Sequence, residues 1–356
     1  MSGAAVEDVG VVVRTVPTDR PESDGTLAWN STTVVIATVR AAGETGIGYT
    51  YGDAAIATVI DGTLAGVVRG MDALSPGAAW AAMTRAVRNS LASGLCAYAI
   101  SAVDVALHDL KARLLGVPLA DLLGRWHDGV EIYGSGGFTS YPLDVLRAQA
   151  EGWMELGVRR VKVKVGRDPG ADPERLDSVR AVIGDDVELM VDANGAFTPA
   201  PALAAAHRTY AARGVRWFEE PVSSDDPAGL RRVRDGAPPG MAIAAGEYAS
   251  DVFALRRLLD AGAVDVLQAD VTRCGGVTGL LRADALAKAH NLPLSAHCAP
   301  AVGAHVLAAC ETAIHIEYFH DHVRAEAELF EGVPEPVGGR LVADHQRPGL
   351  GLTVRR

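Results

Sequence analysis

A repeated unit of apolar strand and amphipathic helix constrains the fold of this 356-residue chain more than any other feature. From residue 131 onward, short apolar runs end in polar residues about 20 to 30 positions apart, the spacing of eight βα units in a barrel of about 250 residues. Strands inside a barrel are continuous apolar runs that end where the active-site loops begin. The pattern therefore predicts an α/β barrel with polar residues gathered at one end. The strand ends lie at Ser135, Lys164, Asp192, Glu219, Glu247, Asp270, His297 and Glu317.

Two further segments flank this series. In the N-terminal part, β-branched runs predict strands over residues 9–15 and 32–40, joined by a long polar loop over 17–29. Residues 54–125 have the apolar spacing of helices. The last part is rich in Gly and Pro, with short β-like pieces and no further helix. We expect an α+β capping domain over residues 1–128, a barrel over 129–324 and a C-terminal segment over 325–356 that returns to the capping domain.

Composition narrows the classes of function. The net charge of −11 argues against nucleic acid as a partner, because a binding surface for it needs a basic face. The four cysteines show no CxxC pair, so neither a zinc site nor a disulfide framework is indicated. The N-terminus has no signal-peptide pattern, and no run of about 18 apolar residues occurs, which predicts a cytoplasmic protein without a membrane partner.

Three strand-end carboxylates predict a metal site. Asp192, Glu219 and Glu247 close consecutive strands, and neighbouring strands lie about 4.8 Å apart, so the side chains can converge. A hard divalent cation relieves their mutual repulsion, and carboxylate oxygens suit Mg²⁺. The alternative is that one or more of them is a helix cap or a surface acid.

Two lysines point to the same strand face. Lys162 and Lys164 alternate with valines, so the period of two places both side chains inside the barrel. Burial and a nearby cation lower a lysine pKa, and we therefore expect Lys164 to supply a neutral amine as a base. The alternative is an edge strand whose lysines face water.

Asp270 and His297 lie at the predicted ends of the next two adjacent strands. Asp270 can accept the ring N–H of His297, which fixes the tautomer and raises the basicity of the imidazole. We therefore expect His297 to act as a second base. Glu317 follows on the eighth strand, where it can protonate or hydrogen-bond a substrate oxygen or serve as a buried structural partner.

Taken together, these motifs resemble the enolase superfamily, specifically its mandelate racemase-like group. The residues that carry the resemblance are SAVDVALHDLKARLLGVPLADLLG, VKVKV, VDAN, FEEP, the Gly246–Glu247 pair, QADVTRCGG and SAH, in the family's order over nearly the whole chain. The muconate-cycloisomerase-like group has lysine where Asp270 stands, so this chain departs from that group.

The resemblance implies a modified (β/α)7β barrel under a capping domain, Mg²⁺ as cofactor and an enediolate mechanism. It implies Mg²⁺ ligation by Asp192, Glu219 and Glu247, bases Lys164 and His297 on opposite faces, and Glu317 as an electrophilic acid. It also implies a homo-oligomer, often an octamer in this family. Residues expected to bind the substrate are Lys162, which would bind or polarise the carboxylate, Asn194 and Ser135.

The enediolate has two fates that the sequence separates poorly. We favour dehydration of an acid sugar to a 2-keto-3-deoxy acid, because SGGF and HRPGLGLT resemble acid-sugar dehydratases of this group. Racemisation or epimerisation of a 2-hydroxy acid is the alternative. A non-catalytic barrel scaffold with a vestigial metal site is the alternative from another class.

Overall fold

A computed structural model describes residues 4–90 and 93–355. The N-terminal part is a three-stranded antiparallel sheet in the order β1-β2-β3, followed by helices and a short π-helical turn at Ile60–Leu64. The strands are β1 (Asp8–Ser23), β2 (Ala28–Ala41) and β3 (Glu44–Tyr51), and the helices are α1 (Ala55–Val59), α2 (Ala65–Val68), α3 (Pro76–Ala86), α4 (Leu95–Leu115) and α5 (Leu119–Leu123).

Helix α4 lies directly on strand β3 because the strand carries glycine at the contact. A Cβ atom on Gly48 would lie 2.1 Å from the carbonyl oxygen of Ala102, and one on Gly46 would lie equally close to that of Ala106. Glycine in a strand marks such a close backbone approach. The alanines of α4 complete the contact, so the sheet and the helix form one apolar core.

The prediction of a long loop over residues 17–29 is wrong. Strand β1 runs to Ser23 and β2 begins at Ala28, with a register shift between Pro17 and Glu22. The two prolines of this stretch indicate a loop by sequence, but β1 is an edge strand, where a missing N–H is tolerated. Only residues 24–27, named here the hairpin tip, form the turn.

Eight parallel strands close into a barrel, because the last strand of the series pairs with the first. This architecture confirms the predicted fold class. The strands are β4 (Val130–Gly136), β5 (Arg160–Lys164), β6 (Glu188–Asp192), β7 (Val215–Glu219), β8 (Ala242–Ala245), β9 (Val266–Ala269), β10 (Leu294–Ala296) and β11 (Ala313–Phe319). The helices are α6 (Leu143–Glu155), α7 (Asp172–Ile183), α8 (Pro199–Ala205), α9 (Pro227–Gly236), α10 (Val252–Asp260), α11 (Gly276–Ala289), α12 (Pro300–Val306) and α13 (His320–Leu329).

The barrel strands divide their side chains between two cores. Valines of β5 at positions 161 and 163 join the large core between strands and helices, while Tyr133, Met190 and Trp217 form a separate inner cluster. Alternation along a strand produces this division. The lysines of β5 are therefore directed inward, above the inner cluster.

Three short strands follow the barrel: β12 (Phe330–Glu331), β13 (Arg340–Leu341) and β14 (Thr353–Val354). Strand β13 pairs antiparallel with β4, and β14 pairs with β12. The same segment reaches α4, since the Leu350 N–H donates to Asp109 at 2.6 Å and Arg113 donates to the Leu352 carbonyl at 2.8 Å. The boundaries near residues 128 and 324 stay a prediction. Among the described residues, no helix combines the length and the apolar character needed to cross a membrane.

Contacts between the N-terminal part and the barrel place the hairpin tip over the strand ends. A Cβ atom on Gly25 would lie 2.2 Å from the carbonyl oxygen of Ala193, so only glycine lets the tip sit this close to β6. Trp29 donates its indole N–H to Asp321 at 2.8 Å and to Glu22 at 3.0 Å. Residues from the first 60 positions therefore cover the site at the strand ends.

Candidate active site

The three predicted metal-ligating carboxylates meet at the carboxyl ends of adjacent strands. Asp192 and Glu219 are the last residues of β6 and β7, and Glu247 lies two residues beyond β8. One oxygen from each lies within 4.8 Å of the others, and all three side chains are buried. The structure thus brings this trio together in the arrangement that the sequence predicts.

Two buried lysines contact the trio. Lys164 Nζ lies 2.5 Å from Asp192 Oδ2. Lys162 Nζ lies 2.5 Å from Glu219 Oε1 and 2.8 Å from Glu317 Oε1. The two ammonium groups therefore compensate the negative charge of buried carboxylates that would otherwise be unpaired.

We expected a lowered pKa for Lys164, whereas its surroundings in the structure raise the pKa. Burial by itself lowers the pKa of Lys164, but the Asp192 carboxylate, with smaller contributions from Glu247 and Glu317, raises it above its ordinary value. The expectation assumed a cation beside the amine. The carboxylates that would bind that cation instead stabilise the ammonium form here.

His297 is held by one ring nitrogen. Its Nδ1 lies 2.7 Å from Asp270 Oδ2, and Asp270 Oδ1 accepts hydrogen bonds from the N–H and hydroxyl of Thr272 at 2.6 and 2.7 Å. Burial lowers the pKa of His297, but Glu247, Glu317 and the bond to Asp270 outweigh it and raise the pKa. The other nitrogen, Nε2, lies 3.3 Å from Glu247 Oε2.

Glu317 is an acceptor in this structure. Its Oε1 accepts from the Ser135 hydroxyl at 2.5 Å and pairs with Lys162, while Oε2 accepts from the Cys298 N–H at 3.2 Å. Burial raises its pKa, but Lys162, His297 and Lys164 together hold the pKa well below the usual value. The role of Glu317 toward a substrate oxygen and its role as a buried structural partner both stay predictions.

The carboxylate trio fits a hard cation. Burial, with the charges of Asp192, Glu317 and Glu247, raises the pKa of Glu219 to about 8 despite the neighbouring Lys162. Glu247 Oε2 is buried and has no hydrogen-bond donor among the described residues. Three clustered carboxylates, one with an unpartnered oxygen, are the donor set that Mg²⁺ binds.

A cavity of about 440 Å³ opens beside the trio. Lys164, His297, Glu247 and Asn194 line it, so it contains both predicted bases. Asn194 has a φ of +46° and donates its N–H to Asp192 at 2.8 Å, while its side-chain oxygen has no hydrogen-bond donor among the described residues. The amide is therefore free to bind a ligand group. Lys162 and Ser135 are fully buried and do not line the cavity, and both contact Glu317.

Several cavity residues were not singled out by sequence reasoning. They come from the hairpin, from the segments after β8, β9 and β10, and from the start of α13: Asp24, Trp29, Thr32, Tyr248, Arg273, Cys298, Asp321 and His322. Arg273 lies 3.4 Å from Asp270 and 3.5 Å from Glu247, and its place within QADVTRCGG was an available signal. The position of Cys298 directly after His297 was another.

Comparison with known protein families covers both parts of the chain. Residues 8–124 match the family described as mandelate racemase/muconate lactonizing enzyme, N-terminal domain. Residues 145–356 match the family described as enolase C-terminal domain-like.

Individual proteins are similar over nearly the full length. The chain is 35% identical over 318 residues to a 3,6-anhydro-alpha-L-galactonate cycloisomerase from Streptomyces coelicolor, which covers 88% of this chain and 86% of that protein. A mandelate racemase/muconate lactonizing enzyme-like protein from Rubrobacter xylanophilus is 55% identical, with a TM-score of 0.97 and coverage of 99% and 98%. L-talarate/galactarate dehydratase from Salmonella typhimurium, solved with Mg and L-lyxarohydroxamate, is 30% identical, with a TM-score of 0.91 and coverage of 100% and 92%.

Proposed function

Since this chain is an enzyme that belongs to the mandelate racemase/muconate lactonizing enzyme family of the enolase superfamily, we propose that it removes the proton α to the carboxylate of an acid sugar and then eliminates the β-hydroxyl as water. The product is a 2-keto-3-deoxy acid. The observation that carries this proposal is that Lys164 contacts Asp192 and His297 contacts Glu247, while both line one cavity.

Asp192, Glu219 and Glu247 would hold Mg²⁺, the cofactor with which similar proteins have been solved. When bound, the cation offsets the negative charge that develops on the substrate carboxylate after its α-proton leaves. Lys162 lies under the trio and is positioned to add a second positive charge at the same end of the substrate. Donors already in place are what make so weak a carbon acid ionisable.

Lys164 and His297 carry out the two proton transfers of the reaction. With a divalent cation held by Asp192, the Lys164 amine would be neutral and would take the α-proton, while the electron pair of the broken C–H bond forms the enediolate. His297, oriented by Asp270, donates a proton to the β-hydroxyl as the C–O bond breaks and water leaves. The resulting enol takes up a proton at the β-carbon and becomes the 2-keto acid, so no external oxidant or reductant is needed.

A ring-opening elimination is a second candidate. The relative from Streptomyces coelicolor is a cycloisomerase, and in a cyclic substrate a ring oxygen at the β-carbon can leave in place of water. The same bases serve both reactions, and the leaving oxygen stays attached to the product. Racemisation of a 2-hydroxy acid is the third fate, with reprotonation of the enediolate on the opposite face.

A substrate panel tests the proposal. We expect incubation with Mg²⁺ and a panel of aldonic and aldaric acids to yield a keto acid that semicarbazide detects. Anhydro-acids and 2-hydroxy acids in the same panel separate ring opening and racemisation from dehydration. If no member gives a keto product or an epimer, and the protein binds no Mg²⁺ before or after EDTA treatment, the non-catalytic scaffold replaces this proposal.

We also propose that the protein works in the cytoplasm as a homo-oligomer, up to the octamer of its family. Cys96, Cys274, Cys298 and Cys310 are all free thiols in the described structure, which suits a reducing compartment. Light scattering after size-exclusion chromatography and cell fractionation test the two statements separately.

A further inference from the structure

We propose that His297, Cys298 and Glu317 form a second metal site, distinct from the carboxylate trio, that takes Zn²⁺ and thereby blocks the histidine base. The inference uses residues of the proposed active site but does not depend on the reaction proposed for it. Its test below reads metal binding directly, so that either proposal can fail while the other stands.

The backbone after β10 brings two consecutive side chains into one site. In an extended strand, neighbouring side chains point to opposite faces. Cys298 instead has a φ of +51° and Ala299 a φ of +45°, a left-handed conformation that non-glycine residues seldom adopt. The turn directs the thiol back toward the imidazole, and Cys298 Sγ lies 3.2 Å from His297 Nε2. Such strain is retained where it positions functional groups.

The ligand atoms have the spacing of a tetrahedral zinc site. Cys298 Sγ lies 3.4 Å from Glu317 Oε2, and His297 Nε2 lies 3.5 Å from the same oxygen. Bonds of about 2.0 to 2.3 Å to nitrogen, oxygen and sulfur in a tetrahedron give edges of about 3.4 to 3.6 Å. The three observed distances lie within a few tenths of an ångström of those edges, so only small shifts are needed to admit the ion.

Groups behind the ligands already hold them in the required orientation. Asp270 accepts from Nδ1 of His297, which leaves Nε2 directed at the cluster, and Lys162 and Ser135 hold the far oxygen of Glu317. Metal-binding histidines and carboxylates are commonly fixed in this way by a second set of hydrogen bonds.

A carboxylate of the trio lies beside the histidine of this cluster. Glu247 is 2% exposed, its Oε2 has no donor among the described residues, and this oxygen lies 3.3 Å from His297 Nε2. Glu247 belongs to the carboxylate trio, so the two clusters adjoin at His297. The cluster itself offers three protein ligands, and water completes the coordination of zinc at sites of this kind.

Ligand chemistry separates the two sites. Thiolate and imidazole favour Zn²⁺, whereas a trio of carboxylates favours Mg²⁺. Binding of Zn²⁺ releases the thiol proton to solvent and occupies His297 Nε2, the nitrogen that the substrate needs. We therefore expect Zn²⁺ to inhibit the enzyme even when Mg²⁺ is saturating.

Cobalt provides a readout specific to the thiolate. We expect Co²⁺, added to the full-length protein in excess Mg²⁺, to produce a thiolate-to-Co²⁺ charge-transfer absorption that saturates at one equivalent and disappears when Zn²⁺ displaces the probe. Co²⁺ bound only to carboxylates produces no such absorption. Its absence from the wild-type protein would overturn the proposal whatever any variant does.

Variants locate the site. We expect Cys298→Ser to abolish the absorption and to weaken Zn²⁺ binding, measured by equilibrium dialysis in excess Mg²⁺, at least about tenfold. The matched control is Cys96→Ser, which removes a buried thiol from α4 in the other part of the chain and keeps the absorption. An unchanged spectrum in Cys298→Ser, or its loss in Cys96→Ser with an unaltered melting temperature, would contradict the assignment.

Discussion

Asp270 Oδ2 lies 2.7 Å from His297 Nδ1, across the gap between the ends of β9 and β10. The carboxylate is itself held by two hydrogen bonds from Thr272 and by an ion pair with Arg273 at 3.4 Å. The imidazole is therefore oriented before any substrate arrives, and its second nitrogen is directed at the carboxylate trio and the cavity. Asp270 acts through His297, which makes it a positioning residue.

Replacement of Asp270 by Asn should lower kcat at least about tenfold and change KM little, because the ring loses its fixed tautomer but the metal ligands remain. Steady-state kinetics of the active substrate check this, with the melting temperature as a test of folding. The exposed Asp260→Asn, which breaks only a surface pair with Arg256, is the control and should leave kcat unchanged. A rise in KM alone would contradict the assignment.

Mg²⁺ should stabilise the protein through the carboxylate trio. A ligand present at 100 times its Kd adds about 2.7 kcal/mol of stability to the state that binds it. We expect the melting temperature to rise on addition of Mg²⁺ and to fall with EDTA. In Glu247→Gln, which removes one charged ligand, the Mg²⁺-dependent rise should shrink or vanish. An equal rise in both proteins would place the ion elsewhere.

Stability should fall with rising pH because of one carboxyl group in the hairpin. Burial, with a hydrogen bond to Asp321 and its charge, raises the pKa of Glu22 from 4.5 to about 9, although Tyr141 and Trp29 donate to it. A raised pKa means that the folded state holds the proton longer than the unfolded state does. The contribution to stability is therefore complete below pH 4.5 and is lost as the pH rises through about 9.

Glu22→Gln, which keeps the shape but cannot ionise, should remove this part of the pH dependence. Free energies of unfolding measured in urea between pH 5 and pH 9 should decline less in the variant than in the wild type. Parallel curves for the two proteins would show that the Glu22 carboxyl does not hold its proton in the folded state.

Gly48→Ala should destabilise the N-terminal part. The added Cβ would lie 2.1 Å from the Ala102 carbonyl oxygen, so α4 must move away from β3, at a cost of about 1 to 3 kcal/mol. Thermal denaturation measures the loss. Gly62→Ala is the matched control, because nothing lies within 4 Å of its added Cβ and alanine favours helical backbone; it should keep or raise the melting temperature. An unchanged melting temperature in Gly48→Ala would contradict the close contact between α4 and β3.

Sequence periodicity located most of the polar strand ends. Lys164, Asp192 and Glu219 are the final residues of their strands, as predicted, because a buried strand ends where its apolar run ends. Asp270 and His297 follow their strands directly. Convergence of these residues follows from barrel closure, and the barrel itself follows from the repeated βα spacing.

Features that depend on contacts between distant segments could not be predicted from the sequence. Trp29 meets Asp321 across 292 positions, and no local pattern predicts that pairing or the long strands that carry the hairpin tip into place. The raised pKa of Lys164 depends on which carboxylate faces the amine and on whether a cation lies between them. The left-handed backbone at Cys298 is likewise a consequence of the turn after β10.

Exchange of the α-proton in D₂O tests the two-base site most directly. With Mg²⁺ and an active substrate, NMR should show that Lys164→Ala and His297→Asn each abolish turnover, while one of them still exchanges the α-proton of at least one substrate epimer with solvent deuterium. That outcome assigns one base to each face of the enediolate. If either variant retains both exchange and turnover for every active substrate, the role assigned to that residue is wrong.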